Sequence, residues 1–326
     1  MPSSVLAVDI GATKIALALV DGAWKVRDKV EISIAGLDSD QLWLNISDST
    51  QTILKESNSE IVGVGIGSAG PIDINQGTIS PVNIGIWRNF PIVKNFQDLT
   101  GINKVLLRGD AMLLALAEHV LGAGRGLKNM LGMVVSTGIG GGLIINSELF
   151  LGDSGNTSFV GHQSIDFEGE LCACGRNGCV ESIASGPQMV RFAKSIGWDS
   201  GTQFEDLADS AKKGDKKAIQ AIERGTKALA SGIINTLAGV DIHHVIIGGG
   251  VTQAGDIYWA PLMNHVARES RHIGFLDGKV ELRRAQLERD AGLIGCALAV
   301  IHGQKDGEDR KSTRLNSSHA NISYAV

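Results

Sequence analysis

Short apolar runs alternate along this chain with longer stretches in which apolar residues recur every three or four positions. A short apolar run bounded by turn residues predicts a buried strand, and the longer periodicity predicts an amphipathic helix. Regular alternation of the two predicts an α/β fold. We predict strands at Val5–Val8, Ile15–Val20, Ile61–Ile66, Val105–Leu107, Met130–Val135, Leu143–Ile145 and Val245–Ile247.

Helical spacing is clearest in two segments. The first contains Leu42, Trp43, Ile46, Ile53 and Leu54. The second contains Ala218, Ile219, Ile222, Leu229, Ile233, Ile234 and Leu237. Gly214 and Asp215 precede the second segment, and they predict a break between two helices.

The segments VLAVDIGATKIALALV and LGMVVSTGIGGGLIIN share one pattern. In each, an apolar strand passes through a glycine-containing turn with a threonine into a second apolar strand, which indicates a duplicated unit. Such a turn can bind phosphate oxygens through its backbone N–H groups. A single glycine-rich hairpin is more often only a tight turn. Two in register, with Asp9 in the first strand, favour a nucleoside triphosphate held from both sides.

The segment Gly65–Gly70, GIGSAG, matches the dinucleotide-binding pattern G-x-G-x-x-G. That pattern must open a helix to bind a nicotinamide cofactor, whereas Pro71 and a turn-rich segment follow it here. The sequence therefore argues against a nicotinamide site. It also lacks the phosphate-loop pattern G-x-x-x-x-G-K followed by Ser or Thr.

Composition and charge narrow the function classes. The 326 residues carry a net charge of -5 and are 43% hydrophobic, which is typical of a globular protein of about two domains. This charge argues against a nucleic-acid partner. With no long apolar run and no basic leader, we expect a cytoplasmic protein without a membrane partner. The segment Asp309–Val326 resembles a translated sequencing adapter and is excluded from the functional argument.

A cluster of metal-ligating residues lies in the second half of the chain. Cys172, Cys174 and Cys179 follow His162, and three thiolates with one imidazole suit a closed, tetrahedral structural zinc site. A redox pair is the alternative, but the C-x-C spacing is not the C-x-x-C of thiol oxidoreductases. Cys296, in an apolar helix, is expected to be a buried small side chain.

Seven sequence motifs resemble the ROK family of sugar kinases and regulators, and they occur in the same order. They are DIGATK, GSAGPID, GDA before a helix, STGIGGG, GH with CACGRNGCVE, IIGGG and DAGLIGCALA. The resemblance covers about residues 4 to 300, and CACGRNGCVESIASG is most similar to the family's glucokinases and N-acetylmannosamine kinases.

This resemblance implies a duplicated actin-like, ribonuclease-H-like fold with the active site in a cleft between two domains. The expected domains are residues 1–119, joined by a last helix at 290–305, and residues 120–289, which include the zinc loop. It also implies ATP-dependent phosphorylation of a hexose or N-acetylhexosamine at the 6-hydroxyl, with Mg²⁺, a structural Zn²⁺ and a homodimer. The partner would be a small-molecule sugar.

Asp110 is the catalytic candidate. It stands between an apolar strand and a helix, where an aspartate often caps the helix. The resemblance implies instead a general base for the sugar hydroxyl. It assigns phosphate, nucleotide and Mg²⁺ binding to Asp9, Gly11, Thr13, Lys14, Thr137, Gly138, Gly140, Gly141, Gly248, Gly249 and Gly250. It assigns sugar binding to Gly67, Asn83, Asp110, His162 and Glu181, and zinc binding to His162, Cys172, Cys174 and Cys179.

Two positions depart from the family pattern. Gly109 stands where the family usually has asparagine, and Phe159 where it usually has glutamate. Both changes remove a polar partner for the sugar, so we expect a loosened or redirected specificity. Besides a kinase, the sequence allows a catalytically impaired sugar-binding protein. A DNA-binding regulator is disfavoured, because few residues precede the first strand.

Overall fold

Two five-stranded sheets form the framework of the computed structural model, which describes residues 3–82, 84–287 and 290–302. The strands of the first half are β1 (Ser3–Ile10), β2 (Lys14–Asp21), β3 (Val26–Ser33), β4 (Glu60–Ser68), the short β5 (Ile72–Asp73) and β6 (Thr78–Ile79), and β7 (Val105–Gly109). Those of the second half are β8 (Met130–Val135), β9 (Ile139–Ile145), β10 (Glu148–Phe150), β11 (His244–Gly248) and β12 (Glu281–Arg284).

The two sheets have the same topology. The first has the order β3-β2-β1-β4-β7 and the second has the order β10-β9-β8-β11-β12. In both, the first three strands pair with one another in antiparallel orientation, and the last two strands are parallel to the third. This repetition confirms the duplicated actin-like α/β fold.

Helices lie between and after the strands of each half. The first half contains α1 (Ser39–Glu56), α2 (Ile92–Thr100) and α3 (Asp110–Leu121). The second half contains α4 (Val180–Ala184), α5 (Gly186–Ser195), α6 (Phe204–Lys212), α7 (Lys216–Val240) and α8 (Asp256–Ser270), and α9 spans residues 291–302. Single-turn helices lie at Val160–His162 and Gly250–Ala254.

The last helix of each half packs against the sheet of the other half. In α3, Ala115 lies against Gly132 of β8 and Gly142 of β9. In α9, Cys296 lies against Gly65 of β4, and its thiol donates a hydrogen bond to the Val8 carbonyl at 3.3 Å. The two helices also contact each other, so they form a shared apolar layer between the sheets.

Glu118 of α3 is fully buried and joins the two chain segments that cross between the halves. Its Oε2 accepts a hydrogen bond from the Ala123 N–H at 2.8 Å. Its Oε1 accepts from the N–H groups of Gln286 and Leu287 at 2.8 and 2.7 Å. Backbone donors satisfy this buried carboxylate, as a charge removed from water requires.

The strands and helices expected from the apolar pattern are present. Each predicted strand lies within an observed one, and the two predicted helices are α1 and α7. The predicted break at Gly214 and Asp215 is confirmed, because Asp215 caps α7 by accepting hydrogen bonds from Lys217 and Ala218. Within the described residues, no helix has the length and apolarity needed to cross a membrane.

Three strands of the two five-stranded sheets were not predicted from the sequence, and neither were the two-residue strands β5 and β6. In β3, VRDKVEIS, only Ile32 is buried, and β12, ELRR, has no fully buried side chain. The third, β10, has only three residues. Each lies at a sheet edge, where pairing with one neighbour through the backbone needs little apolar sequence.

Candidate active site

A cleft of about 330 Å³ is lined by residues from both halves of the chain. The repeated turns reach it from the first half at residues 11–14 and from the second half at residues 136–140, and the first turns of α3 and α9 also line it. The predicted site residues that line it are Asp9, Gly11, Thr13, Lys14, Asp110, Thr137, Gly138, Gly140, His162, Glu181 and Gly249.

Four predicted glycines lie behind the lining. Gly67 packs under Leu113 beside Asp9, and Gly141 lies against Ser158. Gly248 lies against Ala285 and Leu114, and Gly250 begins the single turn Gly250–Ala254. These glycines are positioned to shape the walls of the cleft. Asn83, also predicted for sugar binding, lies outside the described residues.

Both repeated turns are closed by their own backbone. In the first, the Gly11 N–H donates to the Lys14 carbonyl at 3.1 Å. In the second, the Ser136 N–H donates to the Gly138 carbonyl at 2.9 Å. Tight turns of this kind leave other N–H groups directed outward, where an anion can be bound.

Asp110 occupies the start of α3, directly after β7. Gly109 is the capping position and Asp110 the first helical residue, one place later than the helix-cap interpretation expected. Its Oδ1 nevertheless accepts a hydrogen bond from the Ala111 N–H at 2.7 Å. The carboxylate therefore contributes to the helix start and faces the cleft at the same time.

Acidic side chains converge at this point. Burial, followed by the negative charge of Glu181, raises the pKa of Asp110. Burial, followed by the negative charge of Asp110, raises the pKa of Asp9 to about 7. Such carboxylates are poised to take up a proton or to bind a cation.

Asp9 lies against the first turn of α9. A Cβ at Gly292 would be 2.5 Å from Asp9 Oδ2, so a larger residue there would displace this carboxylate. The two lysines whose charges act on Asp9 belong to a surface chain of ion pairs. Lys14 binds Glu31 at 2.7 Å, and Lys29 binds Asp290 at 3.1 Å. Both lysines lower the pKa of Asp9, but less than burial and Asp110 raise it.

The raised pKa of Asp9 makes stability depend on pH. An aspartate in the unfolded chain loses its proton near 3.8, whereas Asp9 in the folded chain holds it to about 7. The folded state therefore binds more protons between these values, and its free energy of unfolding falls as pH rises through that window. Without divalent cations, we expect the free energy of unfolding of Asp9→Asn to exceed that of the wild type by roughly 1 kcal/mol or more at pH 8. At pH 4 the two free energies should be nearly equal.

Thermal unfolding in a chelating buffer at both pH values measures this effect. Asp48→Asn, the same change at an exposed position of α1, is the control. An Asp9→Asn stability difference that did not change with pH would contradict the assignment of the raised pKa to Asp9.

The predicted metal ligands lie together. The ligand atoms of His162, Cys172, Cys174 and Cys179 are all within 4.8 Å of one another. Cys174 and Cys179 Sγ are 3.6 Å apart, and Cys172 Sγ is 3.5 Å from His162 Nδ1. A tetrahedral zinc with bonds of about 2.3 Å to sulfur needs sulfur–sulfur separations of about 3.8 Å. The side chains therefore fit a zinc ion.

The electrostatics of the cluster agree with a bound cation. Burial, with contributions from Cys174 and Cys172, raises the pKa of Cys179 to about 12. A thiol in these surroundings loses its proton readily only when a cation replaces it. The pKa of Cys174 is lowered instead: desolvation raises it, but hydrogen bonds from the Arg176 N–H and from the Cys179 and Cys172 thiols outweigh this.

Glu181 connects the zinc-ligand cluster to the cleft. It lies in α4, whose capping residue is Cys179. Its Oε2 accepts a hydrogen bond from the Ile139 N–H at 2.7 Å, next to the second repeated turn. Its Oε1 is 4.0 Å from His162 Nε2. With Nδ1 facing the cysteines, His162 presents Nε2 towards Glu181 and the cleft.

Several lining residues were not assigned to the site from the sequence. They are Ala12, Ala69, Gly70, Val82, Leu114, Val134, Ser136, Ile139, Ala291 and Gly292. Most are small or apolar residues, and their side chains have no functional group that would mark them as part of a binding site. Gly292 lies in the motif DAGLIGCALA and Ser136 precedes the second turn, so their positions in these motifs could have indicated them. Phe159, noted above as a departure from the family pattern, also lines the cleft.

Comparison with known proteins agrees with this geometry. Residues 5–302 match the model of the ROK family. The chain is 32% identical over 325 residues to a glucokinase of Halalkalibacterium halodurans, with 94% of this chain and 97% of that protein covered. It is 32% identical over 303 residues to an N-acetylmannosamine kinase of Shigella flexneri, with 93% of this chain and 99% of that protein covered.

A solved structure shows the same fold. A ROK family glucokinase from Streptomyces griseus, in complex with glucose and AMPPNP, aligns with a TM-score of 0.77 at 28% sequence identity. The alignment covers 90% of this chain and 98% of that one. The similarity therefore extends through both sheets and both sides of the cleft.

Proposed function

The chain belongs to the ROK family, and on that basis we propose that it is an ATP-dependent kinase that phosphorylates a hexose or an N-acetylhexosamine at the 6-hydroxyl. The observation that carries the proposal is the placement of Asp110 in one cleft with both repeated turns and with Glu181 and His162. A phosphoryl transfer site needs these parts together, since its catalysis consists mainly of positioning and charge stabilisation.

Asp110 is the proposed general base. A sugar hydroxyl that attacks a phosphoryl group must lose its proton, and a carboxylate within hydrogen-bond distance can accept it. Burial raises the pKa of Asp110, which makes its ionised form a stronger base than an exposed aspartate. Its Oδ1 accepts a hydrogen bond from the Ala111 N–H, which fixes one oxygen and thereby orients the carboxyl group.

The repeated turns are proposed to bind the nucleotide phosphates. Thr13 and Thr137 supply hydroxyl donors, and the adjoining backbone supplies N–H groups. Asp9 would hold Mg²⁺, which neutralises charge on the phosphates when it is bound. Its raised pKa supports this role, because a carboxylate that is buried and close to Asp110 is stabilised in its ionised form by a cation.

The cluster of His162, Cys172, Cys174 and Cys179 is proposed to hold a structural zinc ion. Four protein ligands leave no open position for catalysis. The site would fix Cys179 at the start of α4 and so place Glu181, which we propose binds sugar hydroxyls together with His162 Nε2.

Each half is proposed to form a domain, at residues 1–119 with α9 and at residues 120–289. Separate apolar cores of the two sheets support two domains, and the shared layer formed by α3 and α9 joins them. The proposed homodimer rests on the family resemblance, and sedimentation of the purified protein tests it directly.

A sugar-binding protein without turnover is the second candidate. Phe159 favours it, because an apolar ring lines the cleft where the family pattern predicts a glutamate. The two candidates differ in one observable property, the release of ADP.

A coupled ADP-release assay on the full chain tests the proposal. ATP and Mg²⁺ are supplied with glucose, N-acetylglucosamine, mannose, N-acetylmannosamine, fructose or glucosamine. The kinase proposal requires saturable, sugar-dependent ADP release, and NMR of the product must show phosphate at carbon 6. Sugar binding in calorimetry without ADP release would favour the second candidate.

A further inference from the structure

Phe159 forms an exposed apolar surface inside an otherwise polar site. Phe159 is 38% exposed. Among the large exposed apolar residues of the described chain, it alone lines this cleft. Other such residues, including Phe167 and Leu171, lie elsewhere on the surface. An aromatic ring left open to water at this position is available to a ligand.

The neighbours of Phe159 hold the ring in place. It directly precedes the turn Val160–His162, in which Val160 is fully buried. The His162 N–H donates to the Phe159 carbonyl at 3.0 Å, and the rings of these two residues lie 4.8 Å apart with an interplanar angle of 37°. The ring is therefore ordered before any ligand arrives, which lowers the entropy lost on binding.

Gly70 allows the ring to reach across to the first half of the chain. A Cβ at Gly70 would lie 2.7 Å from Phe159 Cε2, so the ring packs directly on the backbone there. The Gly70 carbonyl accepts a hydrogen bond from the Val82 N–H at 3.0 Å, which places Val82 beside it. Ala69, Gly70, Val82 and Phe159 all line the cleft, and we refer to them as the apolar corner.

The other cleft residues proposed to contact the sugar are polar. Glu181 and His162 are 4.0 Å apart, and Asp110 is close enough for the charge of Glu181 to raise its pKa. These groups can bind hydroxyls. The side chains of Ala69, Val82 and Phe159 carry no hydrogen-bonding group, so a hydroxyl directed at them would lose its water without replacement. A methyl group would meet a complementary surface.

On the basis of the proposed function, we propose that the apolar corner binds the acyl methyl group of an N-acetylhexosamine, and that Phe159 is the residue that selects such sugars over the parent hexoses. Contact with the C–H face of a pyranose would not give this selection, since acetylated and parent sugars both present that face. The difference between them is the acetamido group itself.

The test compares matched sugar pairs in the ADP-release assay. The pairs are N-acetylglucosamine with glucose and N-acetylmannosamine with mannose. We expect the wild type to have a kcat/KM about 10-fold or more higher for one acetylated sugar than for its parent. In Phe159→Ala, this value should fall by about 10- to 100-fold for the acetylated sugar and by less than about 3-fold for the parent.

Two further variants separate specificity from folding. Phe159→Leu keeps an apolar side chain and should retain most of the preference. Phe167→Ala removes a phenylalanine that is 85% exposed and outside the cleft, so both sugars should keep their wild-type values. Circular dichroism and bound metal content establish that each variant is folded.

Three outcomes would overturn the inference. The first is a wild type with a higher kcat/KM for the parent hexoses. The second is a folded Phe159→Ala whose kcat/KM falls equally for the acetylated and the parent sugar. The third is a Phe159→Leu that loses the preference as fully as Phe159→Ala. Absence of turnover with every sugar would reject the kinase proposal instead. Calorimetric dissociation constants for the same pairs would then still decide whether Phe159 selects the acetyl group.

Discussion

Asp110→Asn is expected to lower kcat by about 1,000-fold, because removal of a positioned general base usually costs between about 100- and 10,000-fold. The amide has nearly the same shape and can still accept the Ala111 N–H, so α3 should begin as before. The KM for the sugar should change by less than about 3-fold, since the hydrogen-bonding partners Glu181 and His162 remain.

The pH profile gives an independent measurement. In the wild type, kcat should fall on acidification through the pKa of Asp110, which burial and Glu181 place above the usual aspartate range. The residual activity of Asp110→Asn should lack that acid limb. Unchanged kcat, or an acid limb that persists in the variant, would assign the base to another group.

Asp98→Asn is the matched control for this variant. Asp98 makes an exposed ion pair with Lys94 on α2, where both side chains are more than half exposed. Such pairs contribute at most about 1 kcal/mol to stability. The kinetic constants of Asp98→Asn should therefore equal those of the wild type. A comparable loss of kcat in Asp98→Asn would show that the effect is not specific to Asp110.

Loss of the zinc ligand set is expected to have the largest effect on stability. We expect the wild type to contain one zinc ion per chain and Cys179→Ser to contain much less. The midpoint of thermal unfolding should fall by about 10 °C, which corresponds to several kcal/mol for a chain of this length. ADP release should fall as well, because Cys179 begins the helix that carries Glu181.

Elemental analysis and scanning calorimetry measure the two effects together. Cys296→Ser makes the same chemical change at a buried cysteine outside the cluster, and a serine there can still donate to the Val8 carbonyl. It should retain the metal. A metal-free wild type, or equal metal loss in both variants, would reject the zinc site.

The fold could be predicted from the sequence where burial imposes a pattern. The strands that became β1, β2, β4 and β8 are almost continuously apolar, because helices or the other half cover both of their faces. The edge strand β12 consists of Glu281, Leu282, Arg283 and Arg284, and only its pairing with β11 makes it a strand. Local sequence cannot reveal such a partner.

The same distinction holds for the site. The zinc-ligand cluster was visible because its four residues lie close in sequence and share one chemistry. The contact between Asp9 and Gly292 was not visible, since it joins the first strand to the last helix. The raised pKa of Asp9 likewise depends on burial and on Asp110, and only the fold supplies both.

The exchange of α3 and α9 bears on how such a duplicated chain could have arisen. A single half ending with its own last helix would leave that helix without the sheet it covers. Two separate copies could cover their sheets by exchanging these helices, so that the last helix of each copy packs on the sheet of the other, as in a domain-swapped dimer. When the copies are joined in one chain, the exchange of helices becomes intramolecular, so the association of the two halves no longer depends on protein concentration.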